Sequence, residues 1–342
     1  MRILDSRIFG ISCYFYLKLK KNRRIGSLHN MLENSARCPI CGSPDTEVRF
    51  RLSSVTIRSC QSCGHNFQYP IPSQEVLDGI FAALYSGDMD LIDRYFPEWK
   101  KFYTGSDEDR AEVRCLKMLR RRLRLAERFI GPGRLLDIGC GFGQFLQVAV
   151  RGGWEIDGVE PSPPAGEYIK NNLGVEVLET IGDDISEYQL ITLWDVVEHQ
   201  SSPREFLEEI ARTMCSGAVV AITVPNQRCL LTWMAEFIWK ISRKKIDGPL
   251  KKFYFISHLQ YFTRRSLCVL LENTGFDVLL ETGEDTCLAN LDMGWAAKAV
   301  LRVIFFTSRL FGPRNRILTY AIKQRPLAAA LSGPAHNLCA EQ

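Results

Sequence analysis

Four cysteines in two pairs have the spacing of a metal-binding site. Cys38 and Cys41 form one C-x-x-C pair and Cys60 and Cys63 form the other, with eighteen residues between the pairs. Four thiolates in this pattern are typical of tetrahedral zinc, and a glycine after each pair lets the chain turn towards the sulfurs. The pattern therefore predicts a structural zinc site in a small ribbon. An iron–sulfur cluster or a redox pair is the alternative, and the neighbouring His65 is expected to be a bystander.

A glycine-rich turn follows a short apolar strand predicted at residues 134–138. From Asp137 to Gly143 the chain reads Asp-Ile-Gly-Cys-Gly-Phe-Gly and leads directly into a predicted helix, whose N-terminal N–H groups can face an anion. Because the next residue is Gln144, the G-x-G-x-x-G dinucleotide fingerprint is absent, and so is the G-K-[ST] of a phosphate-binding loop. Glu160 ends the next predicted strand, where a carboxylate can accept both hydroxyls of a ribose. The pattern indicates an adenosine-like ligand.

These residues resemble the class I methyltransferases that use S-adenosylmethionine (SAM). The resemblance rests on the segments 135–143 and 159–162 and covers about residues 110–282. By this resemblance the residues expected to bind SAM are Asp137, Gly139, Cys140, Gly141, Gly143, Glu160, Pro161 and Asp195. A glycine turn in another doubly wound fold is the alternative.

A second polar group follows the fourth predicted strand of the same region. Asp195, Glu198 and His199 come after its carboxyl end, where parallel sheets bind their ligands. Many small-molecule methyltransferases carry a similar D-x-x-E-H, and His258 opens a segment that resembles the H-L-x-x-F-T of one bacterial subgroup.

The chemistry expected of these four side chains is catalytic. Methyl transfer to a hydroxyl or amine benefits from a general base, so His199 and His258 are the candidate bases, with Asp195 and Glu198 as further catalytic candidates. Structural roles for both histidines are the alternative. Asp195, Glu198 and His199 could also bind a divalent ion, although the sequence shows no further ligand for it.

The elements that position these groups alternate between strand and helix. This rhythm predicts an α/β fold, Rossmann-like and doubly wound, with a mostly parallel seven-stranded sheet behind a small N-terminal zinc ribbon. The strands are expected at residues 134–138, 154–160, 175–178, 189–194, 218–224, 276–281 and 317–323, and the helices at 108–129, 143–151, 163–172, 202–214 and 264–273.

The expected domain boundaries follow from these elements. Residues 1–30 form a leader that is disordered or spurious, because Met31 could be an alternative start. Its apolar run is too short to span a membrane and no cleavage site follows, so a weak membrane-surface anchor is the alternative. Next come a zinc-ribbon-like module (31–70), a helical connector (71–129), the methyltransferase domain (130–326) and a tail (327–342).

Two basic, aromatic insertions, at about residues 228–257 and 285–315, interrupt the domain. The second is predicted to hold an amphipathic helix at 295–311. A lid over the substrate cleft and contacts in a homodimer are the favoured interpretation, with weak membrane-surface contact or RNA contact as alternatives.

Composition narrows the function further. A net charge of +4 over 342 residues is too weak to argue for nucleic acid as a partner, and the scattered single cysteines indicate reduced thiols in a cytoplasmic protein. The sequence therefore predicts a SAM-dependent methyltransferase with structural zinc that acts on a small-molecule or carbohydrate-like acceptor. An RNA methyltransferase is disfavoured because no aromatic-plus-proline motif follows the fourth strand. A non-catalytic SAM-binding module is disfavoured by the intact glycine loop.

Overall fold

A computed structural model of the chain describes residues 36–52, 55–73, 75–77, 79–80, 108–254, 256–288 and 294–324, with the backbone alone at 108–114. The predicted leader and tail lie outside these residues. Most of the predicted connector before residue 108 lies outside them as well.

The described elements reproduce most of the predicted alternation of strand and helix. The strands are β1 (Thr46–Arg51), β2 (Thr56–Cys60), β3 (Asn66–Gln68), β4 (Arg134–Ile138), β5 (Glu155–Val159), β6 (Leu190–Trp194), β7 (Val219–Pro225), β8 (Gln260–Tyr261), β9 (Phe276–Glu284) and β10 (Arg316–Lys323). The helices are α1 (Glu108–Ala126), α2 (Gln144–Arg151), α3 (Pro163–Leu173), α4 (Pro203–Thr213), α5 (Leu230–Ile241), α6 (Gly248–Lys251), α7 (Arg264–Asn273) and α8 (Trp295–Phe311), with a 3-10 turn at Val197–His199.

The larger sheet is mixed and has six strands in the order β5-β4-β6-β7-β10-β9. The first four are parallel, and β10 runs antiparallel to both β7 and β9. The prediction of seven strands was wrong for the described residues. Residues 175–178 lie at the edge beside β5 and form only one isolated bridge, between Leu178 and Val159, so they do not count as a strand.

Each face of this sheet is covered, as the continuous apolar strands predicted. Along β4, Leu136 packs with α4 and α7 on one face, while Leu135 packs with α1 and α2 on the other. β6 is buried along its whole length. Chain order reverses at β4, since β5 lies on one side of it and β6 on the other, and such a reversal opens a crevice at the carboxyl ends of the strands.

The smaller sheet joins the cysteine module to the rest of the molecule. Its order is β1-β2-β3-β8, all antiparallel, so the fourth strand comes from a segment almost 200 residues later in the chain. Cys38, Cys60 and Phe67 belong to the same apolar cluster as Ile138 and Phe262. The module therefore shares a continuous apolar core with the larger sheet.

The first insertion covers the smaller sheet. Ala235 of α5 and Leu250 of α6 pack against Phe50 and Ile57, and Arg49 donates to both carboxylate oxygens of Glu236 at 2.8 and 2.9 Å. Among the described helices, none has the length and apolar character needed to cross a membrane.

Candidate functional site

The glycine loop lies at the carboxyl end of β4 and uses glycine's conformational freedom at three positions. Gly139, Gly141 and Gly143 have φ values of +83°, +52° and +76°. At Gly143 a Cβ would also stand 3.0 Å from Ile169 and 3.2 Å from Leu173 of α3. Only glycine combines this backbone conformation with so close an approach of two helices.

Glu160, at the end of β5, clamps this loop. Its carboxylate is buried and accepts hydrogen bonds from the N–H of Gly141 at 2.7 Å and from the N–H of Ser162 at 2.9 Å. A carboxylate can accept about four hydrogen bonds, so the clamp is compatible with further bonds to the two hydroxyls of a ribose.

The other predicted cofactor residues lie around this clamp. Asp137 is buried in β4 and accepts from the Thr192 hydroxyl at 2.5 Å, and burial raises its pKa to about 7. The Cys140 side chain points into the interior, since a Cβ on Gly158 would lie 2.8 Å from its sulfur. Any contact of Cys140 with a cofactor is therefore made by its backbone, not by its thiol. Pro161 is exposed between the end of β5 and α3.

Asp195 lies apart from the other members of the predicted D-x-x-E-H group. It follows β6 with φ at +60°, and its carboxylate pairs with Arg316 at the start of β10. Arg316 also donates to the Thr223 hydroxyl at 3.2 Å, so the pair ties three strands together.

Glu198, His199 and His258 do come together, as buried neighbours beyond the carboxyl end of β6. The two imidazole rings meet edge to face with centroids 4.6 Å apart. His199 uses Nδ1 to donate to the carbonyl of Ser257 at 2.7 Å. Neither carboxylate oxygen of Glu198 has a hydrogen-bond partner in the described structure.

Burial sets the charge of these three groups. It raises the pKa of Glu198 to about 8 and lowers the pKa of His199 to about 3. The pKa of His258 also falls well below its usual value, through burial and then through the neighbouring His199. Neutral imidazole is the form that a general base needs, but such depressed values weaken both rings as proton acceptors.

The four cysteines also come together as predicted. The ligand sulfurs of Cys38, Cys41, Cys60 and Cys63 all lie within 4.8 Å of one another, and two of the sulfur–sulfur distances are 3.6 Å. Gly42 and Gly64 each take a φ of +73° and donate back to the first cysteine of their pair.

His65 lies outside this sulfur cluster. Its ring nitrogens instead bond to Gln260 at 2.9 Å and to Ser266 at 3.3 Å.

Sequence reasoning missed three residues of the crevice. Arg316 and Thr192 bond to Asp195 and Asp137 only because β10 and β6 occupy particular places in the sheet, which no local motif signals. Ser162 belongs to the motif around Glu160, and its buried hydroxyl has no partner among the described residues. The motif could have singled it out as a cofactor contact.

Comparison with known proteins gives the family. The sequence profile of a family described as methyltransferase domain matches residues 109–281, about half of the chain. The mitochondrial ubiquinone biosynthesis O-methyltransferase of Schizosaccharomyces pombe is 31% identical over 123 residues. That alignment covers 32% of this chain and 45% of the relative, less than half its length.

Solved structures of methyltransferases are also similar to this chain. A SAM-dependent methyltransferase from Archaeoglobus fulgidus has 22% identity and a TM-score of 0.42, over 67% of this chain and 99% of that one. The plantazolicin methyltransferase in complex with SAH has 15% identity and a TM-score of 0.44, over 73% of this chain and 96% of that one. By the family match, the chain belongs to the methyltransferase-domain family.

Proposed function

We propose that this methyltransferase transfers the methyl group of SAM to a hydroxyl of a small-molecule or carbohydrate-like acceptor. The observation that carries the proposal is the clamp of Glu160 on the glycine loop, at the crevice where the order of the sheet reverses. The Schizosaccharomyces pombe relative is an O-methyltransferase, which favours oxygen as the atom methylated.

The sulfonium of SAM supplies an already activated methyl group, so the protein mainly has to place the acceptor in line. Glu160 and the loop amides hold the nucleoside end. The polar groups after β6 lie at the same edge of the sheet, because β4 and β6 are parallel neighbours. While no cation occupies their lone-pair nitrogens, His199 and His258 are the candidates for receiving the hydroxyl proton, and Asp195 with Arg316 orients the strand ends around them.

Titration calorimetry with S-adenosylhomocysteine, the demethylated product, tests the cofactor site. Glu160→Gln removes one acceptor of the clamp and should weaken binding at least tenfold, about 1.4 kcal/mol. Glu155→Gln is the matched control, because Glu155 is exposed at the opposite end of β5 and should bind as the wild type does. Wild-type protein that folds but binds no product would overturn the proposal.

We also propose that the four cysteines hold a structural zinc ion. In a tetrahedral site with Zn–S bonds of about 2.3 Å the sulfurs lie about 3.8 Å apart, close to the 3.6 Å observed here. The ion would fix the turns after each pair and hold the smaller sheet on the larger one. Cys63→Ser should lose one equivalent of zinc, whereas Cys268→Ser, a thiol outside the cluster, should retain it.

A third proposal concerns the outer face of α5 and α8, here called the aromatic face and defined by Trp233, Phe237, Ile241, Trp295, Val303, Phe306 and Phe311. All seven are exposed, Phe237 by 63% and Trp295 by 84%. The inner face of α5 packs on the smaller sheet, which argues against the favoured interpretation as a lid. Basic residues, among them Lys240, Lys244 and Arg302, lie on the same helices or just after them. We therefore propose that this face binds an anionic membrane surface.

A further inference from the structure

A second group of metal-ligating side chains lies outside the cysteine module. Glu198, His199 and His258 each place one possible ligand atom within 4.8 Å of the ligand atoms of the other two. The sequence places His258 almost sixty residues after the other two, so only the fold unites them. Asp195, which the sequence offered as a possible ligand beside Glu198 and His199, is engaged with Arg316 instead.

Glu198 differs from every other buried carboxylate of the described structure. The other five each have a partner: Asp137 has Thr192, Glu160 has two N–H groups, and Asp195, Glu236 and Glu284 each have an arginine. Glu198 is 1% exposed and neither of its oxygens has a hydrogen-bond partner. A buried carboxylate without a partner is costly, so it calls for a cation or a proton that the described side chains do not provide.

The backbone holds the three groups in place before any ligand arrives. The N–H of Leu259 donates to the carbonyl of Glu198 at 2.9 Å, and the Gln260 side chain donates to the carbonyl of Gln200 at 2.9 Å. His199 donates through Nδ1 to the Ser257 carbonyl, which makes Nε2 its lone-pair nitrogen. An imidazole oriented by a backbone carbonyl in this way is the usual arrangement of metal-ligating histidines.

We propose that Glu198, His199 and His258 bind a second metal ion, a divalent transition-metal cation. Two imidazoles and one carboxylate suit zinc, iron, cobalt and nickel. The cation would neutralise the buried carboxylate and join the 3-10 turn after β6 to the segment that leads into β8. Three protein ligands leave at least one position for an oxygen ligand, at the sheet edge that also carries the glycine loop.

Cobalt titration of the full chain under reducing conditions separates the two sites. The wild type should bind two equivalents, one with thiolate-to-cobalt charge-transfer absorption and one with only weak d–d bands. Glu198→Gln and His199→Asn should each abolish the second equivalent and keep the first. Asparagine retains an N–H near the position of Nδ1, so the bond to Ser257 can persist. Unchanged circular dichroism would show that both variants fold.

Two further variants serve as controls. Asp195→Asn removes a carboxylate at the same edge of the sheet and should still bind both equivalents. Cys63→Ser should lose only the equivalent with charge-transfer absorption. A wild type that binds one equivalent, or a Glu198→Gln variant that still binds two, would overturn the proposal. Because product binding is measured separately on the same protein, failure of this site and failure of the proposed function are distinguishable.

Discussion

At the residue scale, the buried carboxylates of this protein differ in the hydrogen-bond donors and cations that lie beside them. Glu160 receives two backbone N–H groups and Glu284 receives the Arg122 guanidinium at 2.6 Å, so both have partners for a negative charge. Asp137 has one hydroxyl, and Glu198 has no hydrogen-bond partner among the described residues. Residue type therefore predicts the candidates, while burial and partners decide what each one does.

The raised pKa of Asp137 makes a prediction about stability. Its pKa is about 7 in the folded protein against an ordinary value of 3.8, because burial disfavours the ionised form. The unfolded chain therefore ionises first, so this group's penalty on folding grows as pH rises from about 4 to about 7 and stays constant above. Relative to Asp137→Asn, the free energy of unfolding of the wild type should fall across that range by up to about 4 kcal/mol.

Urea unfolding of both proteins between pH 4 and pH 8 measures this difference. Asparagine can still accept from Thr192, so the hydrogen bond is preserved in the comparison. A difference between wild type and Asp137→Asn that stays flat with pH would contradict the prediction.

Sequence reasoning found those site residues that lie in continuous motifs. Gly139, Gly141 and Glu160 were predicted from one strand–loop–helix–strand segment; the loop and Glu160 lie together there, while the bonds from Gly141 and Ser162 to Glu160 were not foreseen and the roles in SAM binding stay predictions. A divalent ion at Asp195, Glu198 and His199 was only an alternative from sequence, and the structure groups His258, not Asp195, with Glu198 and His199. The difference arises because Arg316 pairs with Asp195 and because the segment after α6 folds back onto the 3-10 turn, which are both long-range events.

At the element scale, the approach of α3 to the glycine loop can be tested with two glycines of similar conformation. Gly143, before α2, and Gly174, after α3, have φ values of +76° and +69°. Alanine should cost about 1–2 kcal/mol of unfolding free energy at either site through backbone strain. At Gly143 alone the new Cβ would also crowd Ile169 and Leu173, whereas nothing lies within 4 Å of it at Gly174.

We therefore expect Gly143→Ala to be less stable than Gly174→Ala by about 1–3 kcal/mol. Because the crowding displaces the loop, the affinity of the Gly143→Ala protein for S-adenosylhomocysteine should fall at least tenfold. The Gly174→Ala protein should keep wild-type affinity. Denaturant unfolding and calorimetry on both variants supply the measurements. Equal losses of unfolding free energy and of product affinity in the two variants would show that the contact between α3 and the loop contributes little to stability or binding.

Elements bounded by strong local signals were predicted well from sequence. The runs that became β6 and β7 are short and mostly apolar, with one threonine in each, and Gly174 ends α3 in a left-handed conformation, as a helix-terminating glycine should. The segment 175–178 was predicted as a strand and forms one bridge. β8 has only two residues and depends on pairing with β3, so no periodic pattern could reveal it.

At the scale of the whole molecule, the cysteine module is built into the fold and does not stand in front of it. The fourth strand of its sheet comes from the 260–261 segment, and Arg265 of α7 donates to the carbonyl of Ser62 at 3.0 Å. The segment between His258 and β8 thus connects the candidate second metal site to the module. Sequence patterns predicted both parts, but their union depends on contacts between residues some 200 positions apart.

The aromatic face gives the prediction at this scale. The full chain should sediment with vesicles that contain an anionic phospholipid and should bind neutral vesicles more weakly, with binding that falls as salt rises, because α5 and α8 combine apolar and basic side chains. The double variant Phe237→Ser with Trp295→Ser should bind at least tenfold more weakly, since each aromatic ring contributes apolar area to the contact.

Two comparisons decide whether this loss is specific to the aromatic face. Val150→Ser, which also removes an exposed apolar side chain but lies on α2, should sediment as the wild type does. Lys244→Gln with Lys245→Gln should weaken binding to anionic vesicles and leave binding to neutral ones unchanged, because charge acts only where the lipid carries charge. If instead no vesicle binds the wild type, and analytical ultracentrifugation shows a dimer that the double serine variant dissociates, the face joins two copies of the chain.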